Sequence, residues 1–237
     1  MDTQTTLPDC WNQFQQVLDN GVDRIILYGP PGTGKTYCGL THGNVDAGAF
    51  RLVCTEDMTN ADVTGSFMLE KGDFRWVSGS ALKAWNGDGT QGGRLVVDEI
   101  DKAGGDVFAT LLAMTDTVES AKWENPATGR IEIPREGFSV VMTTNIENME
   151  ELPTALKDRF PCSIRINEPH PDSLDSLPSN IREYARKMAD AGDRRISLRQ
   201  FYAYGQLNRI HGDERAANLI FGNRAESFLD AIRIDTV

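Results

Sequence analysis

The stretch Arg24-Ile25-Ile26-Leu27-Tyr28-Gly29-Pro30-Pro31-Gly32-Thr33-Gly34-Lys35-Thr36 joins an apolar, β-branched run to a glycine-rich loop ending in Lys-Thr. The loop fits GxxxxGK[ST] and stands where that pattern has a mechanism, behind a strand and ahead of a helix. Its glycines let successive backbone N–H groups face one concavity. The N-terminus of the following helix adds partial positive charge where phosphates sit. Gly29, Pro30, Pro31, Gly32, Thr33, Gly34, Lys35 and Thr36 are therefore expected to cradle a nucleotide's phosphates. Lys35 supplies a cation for the β- and γ-phosphates, and Thr36 a hydroxyl ligand for Mg²⁺. Four fixed positions match by chance on the order of once in a hundred chains of this length. A plain strand-to-helix turn has no need of the Lys-Thr pair.

The chain has 237 residues, 40% hydrophobic and 25% charged. That is ordinary globular composition, suited to one medium domain or a core with a small satellite. No apolar stretch reaches the roughly 18 residues of a membrane span. Residues 1–6 lack the basic and apolar parts of a secretory signal, so a cytoplasmic protein without a membrane partner is expected. The formal net charge of −11 argues against nucleic acid as the main partner. The most basic stretch is 182–199, with Arg182, Arg186, Lys187, Arg194, Arg195 and Arg199. Cys10, Cys38, Cys54 and Cys162 show no CxxC spacing and read as reduced thiols. His42, His170 and His211 are scattered, without the spacing of a structural zinc site.

Along the chain, 9–19 reads as an amphipathic helix with Trp11, Phe14, Val17 and Leu18 on one face. Strands are expected at 24–28, 50–55, 94–98, 138–143 and 162–166, and their continuous apolar runs suit a parallel sheet buried on both faces. The helix after Thr36 is expected to be short, because Gly39 and Gly43 weaken it. Thr59 to Asp62 is a helix-capping signal. A helix over 104–118 and a hairpin over about 120–134 follow. The polar, breaker-rich 168–180 reads as a linker. Helices are expected at 181–191, 197–210 and 213–232. Alternating strands and helices predict an α/β layered core.

Asp98-Glu99 closes the strand Leu95-Val96-Val97. Beside a phosphate loop, Asp98 is suited to hold Mg²⁺ and Glu99 to act as general base on water. Asn145, after Thr143-Thr144, lands on the same sheet edge, where ligands of open α/β sheets bind. There it is placed to orient the attacking water.

The ordered set 29–36, 94–103, 143–145 and Leu152-Pro-Thr-Ala-Leu-Lys-Asp-Arg-Phe160 resembles an AAA+ ATPase, most closely the MoxR branch related to dynein-type modules. Residues 55–65 and 74–84 are similar to further stretches of that branch. The resemblance covers roughly 21–200. It implies an α/β parallel-sheet P-loop NTPase core with a small C-terminal helical lid: an N-terminal helix at 1–20, the core at 21–168, a linker at 169–180 and the lid at 181–237. It implies ATP and Mg²⁺ as cofactors. By position, Arg159 matches the arginine finger acting on a neighbouring subunit's γ-phosphate. Arg199 matches the second sensor, with Arg194 and Arg195 as close competitors. The stretch 66–77 falls where the branch carries an insertion, so Phe67, Phe74 and Trp76 read either as exposed pore or partner contacts or as core aromatics. The short, glycine-interrupted helix after Thr36 departs from the family pattern. Cys38, two residues beyond Thr36, is also unusual, and a bulky thiol reagent there is expected to weaken nucleotide binding.

The reading is a ring-forming, Mg-dependent ATPase, a homo-oligomer of hexameric kind, that remodels a protein client. The resemblance implies a partner with a von Willebrand factor A domain. Two alternatives stay open: a DNA-directed AAA+ motor of replication or restriction, and an ATP-binding assembly switch without essential hydrolysis.

Overall fold

A computed structural model describes residues 7–188 and 196–234, so Arg194 and Arg195 lie outside the described residues. The chain divides into two compact units. One comprises Gln13–Gly29 and Lys35–Arg165; the other comprises Met1–Asn12, Pro30–Gly34 and Ile166–Val237.

Chain order begins with α1 (Asp9–Asp19), β1 (Arg24–Tyr28), α2 (Lys35–Thr41), β2 (Ala49–Val53) and α3 (Asn60–Thr64). A hairpin, β3 (Gly65–Glu70) and β4 (Asp73–Ser78), precedes α4 (Ser80–Asn86), β5 (Arg94–Asp98) and α5 (Gly105–Met114). A second hairpin, β6 (Trp123–Asn125) and β7 (Arg130–Glu132), leads to β8 (Ser139–Thr143), α6 (Thr154–Arg159) and β9 (Cys162–Arg165). The central sheet has five strands in the order β2-β5-β8-β1-β9, all parallel. β5 is buried at every position, as its unbroken Leu-Val-Val run demands of an inner parallel strand. The edge strand β2 buries only Leu52 fully. Val97, Met142 and Ile26 lie level across β5, β8 and β1, so Asp98, Thr143 and Leu27 follow on one edge. The core of this unit packs Leu95, Val97, Val140, Met142, Trp85 and Phe138 with Leu111 and Leu156.

Two arginines fix the opposite edge. Arg94 is 4% exposed and donates to the carbonyls of Gly39 at 3.2 Å, His42 at 2.5 Å and Asn44 at 3.3 Å, and to Ser139 Oγ at 3.3 Å. Burial pulls its pKa down, yet the surrounding oxygens tie the end of α2 to β5. Arg24 donates to Thr115 O and Asp116 O at 2.8 and 2.7 Å and lies over the Phe138 ring.

Several elements depart from the sequence expectation. The helix expected over 104–118 ends at Met114, where Thr115 turns its hydroxyl back onto Leu111 O. The strand expected to reach Thr55 ends at Val53. The hairpin at 65–78 was not expected. It turns on Lys71 and Gly72, both at positive φ (53° and 94°), the geometry of a tight two-residue hairpin loop.

In the other unit, α7 (Pro171–Asp175), α8 (Ser179–Met188), α9 (Leu198–His211), α10 (Asp213–Phe221) and α11 (Ala225–Ile234) surround Leu174, Ile181, Phe201, Tyr204, Phe221 and Phe228. α7 lies inside the 168–180 stretch expected as a linker: Pro171 opens it, His170 caps it, and Leu174 and Leu177 are buried. The single helix expected over 213–232 is two, broken at Gly222 with φ 53°. Ser197 and Gln200 form the capping box that starts α9.

Because three carbonyls converge on Arg94, Arg94→Ala is expected to destabilise the protein by roughly 3 kcal/mol, the order found when a buried charged donor is deleted. A urea unfolding curve checks this; an unchanged midpoint would show that the arginine carries no load.

Candidate active site

The ends of β1, β8 and β5 bring together most of the residues marked by sequence. Lys35, 6% exposed, opens α2 and donates from Nζ to Gly29 O at 2.8 Å and to Asn145 Oδ1 at 3.2 Å. The Asn145 amide donates in turn to Glu99 Oε1 at 3.4 Å. One amide therefore spans the phosphate-loop lysine and the proposed base. Glu99 stands at φ 58° and ψ 49°, a left-handed conformation that is uncommon outside glycine and costs of order 1–3 kcal/mol. Its N–H donates to Thr143 Oγ1 at 3.4 Å.

Asp98 is 7% exposed and fully partnered. Its Oδ1 accepts from Thr36 Oγ1 at 2.7 Å and from Thr143 Oγ1 at 2.5 Å. Its Oδ2 accepts from Arg51 Nε at 3.2 Å and, in a very short contact, from Arg51 Nη2. Burial pushes the carboxyl up, but the Thr143, Arg51 and Thr36 hydrogen bonds and the Arg51 charge outweigh it and hold the pKa below its usual value. A carboxylate in this state stays ionised at neutral pH.

The phosphate loop bends at Gly29, Gly32 and Gly34, all at positive φ. At Gly32 a side chain would be strained by the backbone and crowded by a neighbour. Its φ is 79°, and a Cβ there would lie 3.1 Å from Ser197 Cβ and 3.5 Å from Leu198 N. Gly32 thus packs against the start of α9, whose second residue is Arg199. Thr33 Oγ1 donates within the loop to Pro30 O at 3.2 Å.

The model of the AAA domain, dynein-related subfamily, matches residues 24–160, more than half of the chain. The chain belongs to this family of AAA+ ATPases. The match contains the phosphate loop, Asp98-Glu99 and Asn145, and it agrees with the MoxR and dynein-related resemblance of the motifs. The chain is 25% identical over 260 residues to the Holliday junction branch migration complex subunit RuvB of Sulfurimonas denitrificans, covering 98% of this chain and 70% of that protein. It is 26% identical over 152 residues to protein CbbQ of Hydrogenophilus thermoluteolus, covering 62% of this chain and 54% of that protein. The crystal structure of NtrX from Brucella abortus in complex with ADP aligns with TM-score 0.53 at 15% identity, over 85% of this chain and 50% of that one, a likeness of fold.

Other residues of the AAA+ domain fall outside that cluster. Arg159 ends α6, donates to Ala155 O at 3.1 Å, and pairs through Nε with Asp116 Oδ2 at 3.6 Å. The aromatics of 66–77 divide between the two readings. Trp76 packs on Trp123 and against the core, whereas Phe67 and Phe74 are 48% and 74% exposed. Arg51, Thr143 and Asp116 were missed in the sequence. The available signal for Arg51 was a lone arginine inside Phe50-Arg51-Leu52-Val53. No described helix is long and apolar enough to cross a membrane.

Burial limits where the thiol expectation can apply. Cys38 is 0% exposed on α2, so a bulky reagent cannot reach it in the folded chain. Cys54 is also at 0%, and its pKa is pushed up to about 12 by burial and then by the charges of Asp101, Asp98 and Glu99. Maleimide treatment of native protein followed by peptide mass mapping is expected to label Cys162 and spare Cys10, Cys38 and Cys54 until denaturant is added. Native labelling of Cys38 at the rate of Cys162 would contradict this burial.

Proposed function

We propose that this chain hydrolyses ATP with Mg²⁺ in a ring of identical subunits and uses the cycle to remodel a protein client. The observation that carries the reading is the joined network of Lys35, Asn145 and Glu99 beside that of Thr36, Asp98 and Thr143. The Asp98 carboxylate and Thr36 hydroxyl are hard oxygen donors of the kind Mg²⁺ accepts alongside water and phosphate. Bound Mg²⁺ would neutralise charge on the phosphate oxygens. Lys35, already desolvated, binds the β- and γ-phosphates. Gly29, Pro30, Pro31, Gly32, Thr33 and Gly34 supply the loop around them. Asn145 orients the attacking water, and Glu99 Oε1 takes its proton. Arg199, at the start of the helix that Gly32 touches, is the second sensor of the bound nucleotide.

Arg159 completes the site of the neighbouring subunit. The Arg159–Asp116 pair is partly buried, with side chains 34% and 31% exposed, and its 3.6 Å contact is an ion pair without a hydrogen bond, worth on the order of 1 kcal/mol. A finger contributing on the order of 10³-fold supplies about 4 kcal/mol. Releasing Arg159 from Asp116 therefore costs far less than the finger contributes. The domain organisation proposed with this function is an N-terminal helix at 1–20, an AAA+ core at 21–168, a linker at 169–180 bearing α7, and a lid at 181–237. The client class, with a von Willebrand factor A domain partner, follows the family resemblance. A second reading, a DNA-directed motor, is favoured by the match to a Holliday junction branch migration subunit and opposed by the net charge of −11.

The test is ATPase rate against protein concentration for wild type, Arg159→Ala, Lys35→Ala and an equimolar mixture of the two variants. Specific activity is expected to rise steeply with concentration. Arg159→Ala should fall on the order of 10³-fold, and the mixture should regain part of the activity. Concentration-independent hydrolysis that survives Arg159→Ala would overturn the ring. Salt-sensitive stimulation by DNA would transfer the reading to the motor.

A further inference from the structure

Arg51 has no place in the roles assigned so far, yet it makes the closest contact to the Asp98 carboxylate. It comes from the edge strand β2, and its side chain is 48% exposed while that of Asp98 is 10% exposed. The two carboxylate oxygens are used differently. Oδ1 is taken twice by hydroxyls, from Thr36 and Thr143. Oδ2 receives both Arg51 nitrogens, Nε at 3.2 Å and Nη2 in the very short contact. Both oxygens are therefore taken, but the two donors on Oδ2 belong to one side chain, so one change of rotamer would free it for a second cation or a water bound to one. A monocation and a divalent cation sharing one oxygen repel each other, and low-dielectric surroundings strengthen that repulsion.

The backbone of Arg51 is held by the sheet, whereas its side chain is half exposed. β2 is paired residue by residue with β5, and Ser80 Oγ donates to Arg51 O at 2.9 Å. The Arg51 side chain is 48% exposed, so a change of rotamer would carry the guanidinium into water without moving the strand.

We propose that Arg51 is the exchangeable counter-ion of Asp98: it neutralises the buried carboxylate in the nucleotide-free chain and yields Oδ2 to Mg²⁺ when nucleotide binds. The proposal rests on the assignment of Asp98 to the cation. It makes Arg51 a tuning residue that sets how much Mg²⁺ nucleotide binding requires. Removing its charge has two opposite effects. The nucleotide-free protein loses stability, because Asp98 is left buried without a counter-charge. Mg²⁺ then binds more tightly, because its competitor is gone. A merely structural arginine produces the first effect without the second.

The experiment measures binding of a fluorescent ADP analogue to the full chain while Mg²⁺ is titrated from an EDTA-chelated start, for wild type, Arg51→Gln and Asp98→Asn. With ADP no hydrolysis intervenes. The half-saturating Mg²⁺ concentration is expected to fall about tenfold in Arg51→Gln, the order by which one neighbouring charge shifts a carboxylate's binding of a proton. The melting temperature without nucleotide is expected to drop in the same variant. An unchanged or higher Mg²⁺ requirement in Arg51→Gln overturns the proposal. Asp98→Asn separates the two levels. If it weakens the Mg²⁺ dependence while Arg51→Gln leaves it unchanged, the cation assignment stands and the counter-ion role fails. If Asp98→Asn keeps the wild-type dependence, the assignment fails and the proposal with it. Should Arg51→Gln not fold, phenylglyoxal labelling of Arg51 in the wild type answers the same question. Labelling should rise several-fold on going from ADP with EDTA to ADP with Mg²⁺. Unchanged or reduced labelling contradicts the exchange.

Discussion

A single carboxylate, Asp98, ties together four parts of the nucleotide-binding half of the chain. It ends β5, an inner strand of the parallel sheet. It accepts hydrogen bonds from Thr36 on α2, Thr143 at the end of β8 and Arg51 on β2. A carboxylate this buried would be costly without partners. The three donors remove that cost and keep it ionised. The strand order β2-β5-β8-β1 makes this possible, because it sets the donors' strands beside or one strand away from β5 and aligns their carboxyl ends. Disturbing the level register of β5, β8 and β1 would separate Asp98 from Thr143 and the phosphate loop from both.

Around this anchor the remaining groups are held in a state ready for charge. The backbone of Glu99 is left-handed, a conformation maintained against an intrinsic cost by the buried neighbours Asp98 and Ile100. That turn moves the Glu99 side chain out of the strand's alternation and toward the Asn145 amide. Asn145 spans Lys35 and Glu99, so the groups proposed to bind phosphate and to activate water are positioned by one side chain. Preorganisation of this kind is where enzymes gain most of their electrostatic stabilisation.

The sequence made much of this legible, for physical reasons. β1, β5 and β8 are central parallel strands, and such strands must be apolar throughout, so their runs stand out. The phosphate loop is fixed by backbone geometry that only particular residues satisfy, so it is written in residue types. Less legible were elements whose stability is tertiary. The β3–β4 hairpin is exposed along most of its length and shows no clean alternation; its main local signal is Lys71-Gly72 at the turn. α7 lies in a proline-rich stretch that reads as breakers, and burial of Leu174 and Leu177 makes it a helix. Pairings across the sheet are also invisible in one dimension. Arg51 and Asp98 are 47 residues apart in the chain, and only the β2–β5 neighbour relation joins them.

Glu99 is proposed as the base of a hydrolytic site built on Asp98 and Lys35. The most direct measurement is ATP binding and single-turnover hydrolysis by Glu99→Gln, an isosteric change that keeps an acceptor for Asn145 but removes the base. ATP should bind as it does to wild type, while hydrolysis falls by about 10²-fold or more, the usual contribution of a general base. Hydrolysis by Glu99→Gln at close to the wild-type rate would contradict the account, because proton abstraction would then lie with another group.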